Sequence, residues 1–243
     1  MIKREYIKFY SQFLQRDMEL LIFGDRGLPV IFFPTRTARF YDYEDWKVIE
    51  AIQQPINAGE RQIVCVDSAD QLSFYNQQLH PADRIHQHTL YEKYILFEVI
   101  PFIKQKNSHR QLMVAGCSLG AFHALNIAFR FPQYFCKVLA MSGRYDLTLQ
   151  LAYFDDLFDG FINHDIYCNM PSRYIHDIES DYAIELLNHL SITIVIGKED
   201  AFLPNNRHLH HALEQKNIRH AFHEWDGEAH KAYYWREMLQ WYL

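Results

Sequence analysis

The chain has 243 residues and sets 24 Lys and Arg against 30 Asp and Glu, a formal net charge of −6; this mildly acidic balance, without a dense basic block, gives no electrostatic reason to expect nucleic acid or an anionic membrane as partner. At 49% hydrophobic and 16% aromatic residues, a chain of this length can bury an ample core. No apolar run approaches a membrane span, and the start Met1-Ile2-Lys3-Arg4-Glu5-Tyr6 carries no signal-like apolar region, so a cytoplasmic protein is expected.

In chain order, Glu19–Gly24 and Leu28–Pro34 read as strands, the second nearly all apolar and therefore central. Asp25-Arg26-Gly27 between them has turn chemistry and predicts that the two form an antiparallel pair. The polar stretch Thr35-Arg36-Thr37-Ala38-Arg39 follows, then Tyr41–Trp46 lead into a helical Val48–Ile52. Gln62–Val66 is another buried strand, ending at Asp67-Ser68-Ala69-Asp70. Asp83–Lys104 has helical periodicity in Leu90, Tyr94, Phe97 and Ile100 and returns the chain to an apolar run at Leu112.

That run, Leu112-Met113-Val114-Ala115, meets Gly116-Cys117-Ser118-Leu119-Gly120, and His123–Arg130 continues with helical spacing. Strand, sharp turn and helix around Gly-x-Ser-x-Gly is the context of a nucleophile elbow, although the motif in isolation also fits an ordinary βα turn. Both glycines are there for steric reasons, since positions two before and two after the serine lie against neighbouring chain, where a Cβ would collide. The turn lifts Ser118 Oγ clear of the sheet and aims the first amides of the helix, Leu119 N–H foremost, at a developing oxyanion. Cys117 is the better intrinsic nucleophile, but the glycines centre the turn on Ser118, and Cys117 is read as a small packing residue.

Phe131-Pro132 ends that helix, and Cys136–Gly143 forms the next strand. From about residue 145 to 178 the rhythm breaks into an aromatic and acidic stretch, with Tyr153, Phe154, Asp155, Asp156 and Phe158. The reading leaves open a lid, a pocket wall or a packed aromatic satellite over the strand ends. Ile192–Gly197 is a strand ending in Lys198-Glu199-Asp200; Asp200, with Glu199 as competitor, is the candidate acid, the alternative being a simple turn cap. His220–Trp225 forms the last strand, His230 sits in the loop before a C-terminal helix, and His230 is the candidate base. The order Ser118, Asp200, His230, each just past a strand, is the order of α/β-hydrolase triads. Alternating strands and helices, without linker or repeat, predict one α/β domain over residues 1–243 with a mostly parallel sheet covered on both faces.

Four scattered cysteines, Cys65, Cys117, Cys136 and Cys168, without a C-x-x-C pair, indicate neither a disulfide framework nor a zinc site. His208, His210 and His211, near His220 and His223, lack the two-histidine i, i+4 pair plus carboxylate that zinc would need, so neither metal nor cofactor is expected.

The elbow, the Asp200 loop and Gly227-Glu228-Ala229-His230-Lys231-Ala232-Tyr233-Tyr234-Trp235 resemble the esterase D and mycolyltransferase-like branch of the α/β-hydrolases. The stretch Asp67–Pro101, with Ser73-Phe74-Tyr75-Asn76 and His80-Pro81-Ala82-Asp83-Arg84, is similar to that branch's loop and long helix before the elbow. The resemblance spans most of the chain from about residue 20. It implies the α/β-hydrolase fold, a Ser118–His230–Asp200 triad and acyl-ester chemistry on a small molecule. Many members carry His-Gly or Asp-Gly after the second core strand, ahead of the second oxyanion amide. Here the position reads Pro34-Thr35-Arg36-Thr37, leaving Arg36 N–H as the implied donor, while Tyr75 and Thr35 are implied at the pocket mouth. The expected function is a serine-dependent carboxylic-ester hydrolase acting through an acyl-enzyme on Ser118. Its alternatives are an acyltransferase using the same triad and a non-catalytic binding protein. Arg36 and Arg39 read either as anion-recognising side chains or as surface charge.

Overall fold

The computed structural model describes residues 2–243. Eight strands form one sheet: β1 (Arg4–Ser11), β2 (Arg16–Phe23), β3 (Leu28–Phe33), β4 (Arg61–Val66), β5 (Met113–Cys117), β6 (Lys137–Met141), β7 (Ser191–Gly197) and β8 (Ala221–Trp225). Their spatial order is β1-β2-β4-β3-β5-β6-β7-β8. From β4 to β8 every neighbouring pair is parallel, and the β1–β2 hairpin joins β4 antiparallel. Every residue of β5, at the centre, is buried, as its uninterrupted apolar run requires of a strand covered on both faces.

The antiparallel pairing expected between the second and third of these strands is not formed. β4 lies between β2 and β3, and the antiparallel hairpin is β1–β2 instead. Asp25–Gly27 is a connector crossing the start of β4. At Gly27, with φ +86°, a Cβ would fall 2.3 Å from the Glu60 carbonyl carbon, so only glycine fits. The physical reason lies in β3, whose apolar residues on both faces favour parallel neighbours on both edges over a place in a hairpin. β1 is an addition to the strands expected from the sequence. Its half-buried Glu5, Ile7 and Phe9 alternate with exposed Arg4, Tyr6, Lys8 and Tyr10, the pattern of an edge strand.

Helices cover both faces. On one lie Pro81–Tyr94, continued by a wide π-type turn (Ile95–Val99) into Ile100–Lys106, together with the elbow helix Leu119–Arg130, Asp181–Asn188 and Leu203–Gln215. Pro101 has no N–H to give the carbonyl of Phe97, and the wide turn accommodates that loss. On the other face, Tyr43, Val48 and Ile52 pack with Trp235 and Met238 of the C-terminal helix Ala232–Tyr242. The expected helix at 48–52 is three short turns, Asp42–Asp45, Val48–Ala51 and Gln53–Asn57. The 145–178 stretch packs Leu147, Leu157, Phe158, Ile166 and Met170 against Phe74, Ile85, Leu119 and Phe122. Among the described residues no helix is long and apolar enough to cross a membrane.

Candidate active site

Ser118 sits between β5 and the elbow helix at φ +57°, ψ −121°, a backbone region that non-glycine residues rarely occupy and that persists only when the surroundings enforce it. The enforcement is visible at the two motif glycines. A Cβ at Gly116 would lie 2.1 Å from the Gly120 carbonyl oxygen, and one at Gly120 would lie 2.3 Å from that of Phe33. Strand, helix and the end of β3 therefore meet at van der Waals limits, which glycine alone permits. Cys117 points into the core, where burial pushes its thiol well above the ordinary range. Its amide donates to Tyr43 Oη (3.1 Å), and Tyr43 donates to the Phe33 carbonyl (2.8 Å).

Three side chains from distant parts of the sequence converge here. Ser118 Oγ lies 2.9 Å from His230 Nε2, and His230 Nδ1 lies 2.7 Å from Asp200 Oδ2. A carboxylate only accepts, so Nδ1 carries the proton and Nε2 is left to accept from the serine hydroxyl. The Asp200 side chain is 2% exposed and that of His230 16%, which keeps the carboxylate away from water and leaves the imidazole edge at the cavity. Asp200 Oδ1 also accepts from the Phe202 amide (2.9 Å), so the carboxylate caps its turn as well as meeting the imidazole; Glu199 is exposed. The histidine loop is clamped from several sides. Ser142 Oγ donates to the Ala229 carbonyl (2.7 Å), Trp235 Nε1 donates to Ser142 Oγ (3.1 Å), and Glu199 N donates to the Gly227 carbonyl (3.0 Å).

The loop after β3 supplies a candidate oxyanion donor. Among the described residues nothing accepts from the Arg36 amide, whereas the next amide, Thr37 N, donates to Asp70 Oδ2 (2.8 Å) from a left-handed backbone, φ +53°. Asp70 is fully buried, and its other oxygen lies 3.1 Å from His123 Nε2 on the elbow helix. One carboxylate thus ties this loop to the helix that carries Leu119. As first residue of that helix, Leu119 has no carbonyl one turn earlier to receive its amide.

Ser118 and His230 open into a cavity of about 250 Å³ that Thr35, Arg36, Tyr75 and Leu119 also line. Four further lining residues are not among the sequence candidates: Arg144, Phe154, Phe202 and Trp235. Arg144 follows β6 as Asp200 follows β7, so its place past a buried strand is a usable signal. Phe154 lies in the 145–178 stretch read as a possible pocket wall, and no period in that stretch, nor in the helices around Phe202 and Trp235, singles out one aromatic. Arg39 is excluded as an anion-recognising candidate, because its guanidinium is taken by Asp67 (2.8 Å) and Glu19 (2.7 Å). His123 packs against Phe33 and Phe74 besides meeting Asp70. Of the histidines weighed for metal, His210 and His211 approach Glu214, with ligand atoms within 4.8 Å of one another. Glu214 supplies a carboxylate absent from the sequence-based set; the trio lies on a partly exposed helix face, and His220 meets His210 at 2.7 Å.

Comparison with known proteins agrees with this architecture. The chain superposes on a ferulic acid esterase with a TM-score of 0.79 at 17% identity, covering 100% of this chain and 97% of that one. It superposes on an S-formylglutathione hydrolase from Agrobacterium tumefaciens with a TM-score of 0.72 at 17% identity, covering 99% and 94%. An S-formylglutathione hydrolase from Staphylococcus aureus gives 0.69 at 15% identity, covering 99% and 96%. At these identities the likeness is one of fold. No curated protein matches the sequence. The sequence profile of the family described as "Putative esterase" matches residues 11–241, and over that span, nearly the whole chain, the protein belongs to this esterase family of the α/β-hydrolases.

Proposed function

We propose that the protein hydrolyses carboxylic esters of small molecules through an acyl-enzyme on Ser118. The unbroken relay from Ser118 Oγ through His230 to Asp200 carries this reading. Ser118 Oγ attacks the ester carbonyl while His230 Nε2 takes its proton, and Asp200 holds the imidazole tautomer and balances its charged form. The amides of Leu119 and Arg36 receive the tetrahedral oxyanion, and Trp235, Phe154 and Phe202 give the cavity apolar walls. The protonated His230 then donates to the departing alcohol. Water, activated by the same imidazole, releases the acid. The relay needs no metal or cofactor to operate.

The test is turnover of a short-chain aryl ester by wild type and Ser118→Ala. A loss of about 10³-fold or more in kcat, with folding intact by circular dichroism, is expected. A variant that keeps the wild-type rate contradicts the assignment.

A further inference from the structure

Resting on the esterase reading, we infer that the preferred ester carries an anionic group, in its simplest form a carboxylate, a few atoms from the scissile carbonyl, and that Arg36, Arg144 and Tyr75 receive it. The observation behind this is Arg144. It is 5% exposed and lines the cavity that holds Ser118, yet among the described residues no carboxylate pairs with it. Its Nε donates to the Asp146 carbonyl (3.2 Å), and its Nη2 to the carbonyls of Leu147 (2.9 Å), Leu149 (2.7 Å) and Asp155 (2.7 Å). Nη1 makes no hydrogen bond to the described residues and is not sealed from the cavity. Carbonyl dipoles fix the guanidinium in place, and Asp146, Asp156 and Asp155 act on its charge only from a distance, with burial the larger effect; a buried charge without a contacting partner is costly unless something completes it.

The neighbouring carboxylates are occupied. Asp146 pairs with Arg173 (2.8 Å) and accepts from Thr148; Asp156 accepts from the amides of Phe158 and Gly160; Asp155 accepts from Gln150. Arg36, exposed and among the described residues without an ion pair, lines the same cavity with Tyr75, whose phenol burial pushes above its ordinary range against the opposing charges of Arg36 and Arg144. Among the described residues no Asp or Glu lines the Ser118 cavity. The adjoining hollow, which shares Arg36, Tyr75 and Arg144, carries Asp155, Asp156 and Asp159 on its wall, Asp159 paired with Arg84 at 2.9 Å. An anion is therefore favoured where the two hollows join and repelled beyond it. That placement, inside about 250 Å³, keeps the charge close to the ester.

The test compares kcat/KM for two anionic esters with that for their uncharged isosteres. Methyl hydrogen glutarate carries the charge on the acyl side, and its isostere is the methyl ester ending in an isopropyl group. Acetoxyacetate carries it on the alcohol side, matched by isobutyl acetate. A preference of about 10-fold or more for the anion in one arm is expected, and that arm tells which side the arginines read. The preference should fall at least several-fold in Arg36→Gln, whose exposed side chain is dispensable for folding, and in Arg144→Met, with Arg144→Lys retaining part of it. The ratio is internal to each variant, so a partly unfolded sample does not mimic the effect. Ester turnover without preference for either anion, or a preference unchanged in Arg36→Gln, overturns the inference. If no ester is turned over at all, the esterase reading fails separately. Calorimetric binding of glutarate to Ser118→Ala then decides, with binding lost in the added Arg36→Gln supporting the anion site and no binding overturning it.

Discussion

The Asp200 carboxylate is buried, donates nothing, and accepts one hydrogen bond from His230 and one from the Phe202 amide. Replacing it by Asn keeps the shape and, with the amide oxygen still capping the Phe202 N–H, turns the amide NH₂ donor against Nδ1, so the imidazole loses the tautomer in which Nε2 accepts from Ser118. Asp200→Asn should lower kcat/KM for an aryl ester by about 10³- to 10⁴-fold, while its melting temperature stays within a few degrees of wild type. A drop of less than 10-fold would show that His230 is oriented by something else. Glu199, one residue away and exposed, has no such leverage. Burial separates the two carboxylates, and the sequence could only place them side by side.

Between elements, the critical junction is the one where the loop after β3 meets the elbow helix. Asp70 joins them through Thr37 N and His123 Nε2, holding the Arg36 amide in the loop near the helix start that carries Leu119. Asp70→Ala should reduce kcat by about 10- to 100-fold, short of the 10²- to 10³-fold typical of losing an oxyanion donor outright, with a smaller change in KM. Equal losses in kcat and stability, with KM raised in step, would instead mark Asp70 as a general packing residue. Elements bounded by burial were legible: the runs at β3 to β7 are too apolar to be anything but covered strands, and the three residues past β5, β7 and β8 followed from them. Elements set by tertiary competition were not. β1 depends on a weak alternation at an edge, the Asp25–Gly27 connector looks like a hairpin turn until β4 inserts, and Phe154 sits in a stretch whose packing has no period.

Over the whole molecule, a parallel sheet collects the C-terminal ends of its strands along one rim, which is how residues 118, 200 and 230 meet. The helix layer behind that rim contains a stability cost. His88 is 1% exposed, neither ring nitrogen has a hydrogen-bond partner among the described residues, and the Glu92 carboxylate is 3.7 Å away. Burial, reinforced by His123 and Arg130, holds its imidazole well below the ordinary 6.5. The unfolded chain therefore binds a proton that the folded one refuses. This contribution to stability is complete above about pH 6.5 and is lost by about 1.4 kcal/mol per unit as pH falls below it, down to the folded value. Glu92, raised by burial against the pull of Arg130, works in the opposite sense and is present in both proteins compared. His88→Phe should be near neutral or stabilising at pH 7.5 and should flatten the fall in melting temperature toward pH 5; a variant as acid-sensitive as wild type would contradict this. The central claim is that Ser118 is an activated nucleophile at that rim, and it is tested most directly by labelling the folded protein with a fluorophosphonate and mapping the modified peptide. One adduct on Ser118, absent in Ser118→Ala and strongly slowed in His230→Ala, is the predicted result; no adduct, or an adduct on another residue while Ser118 stays free, would contradict it.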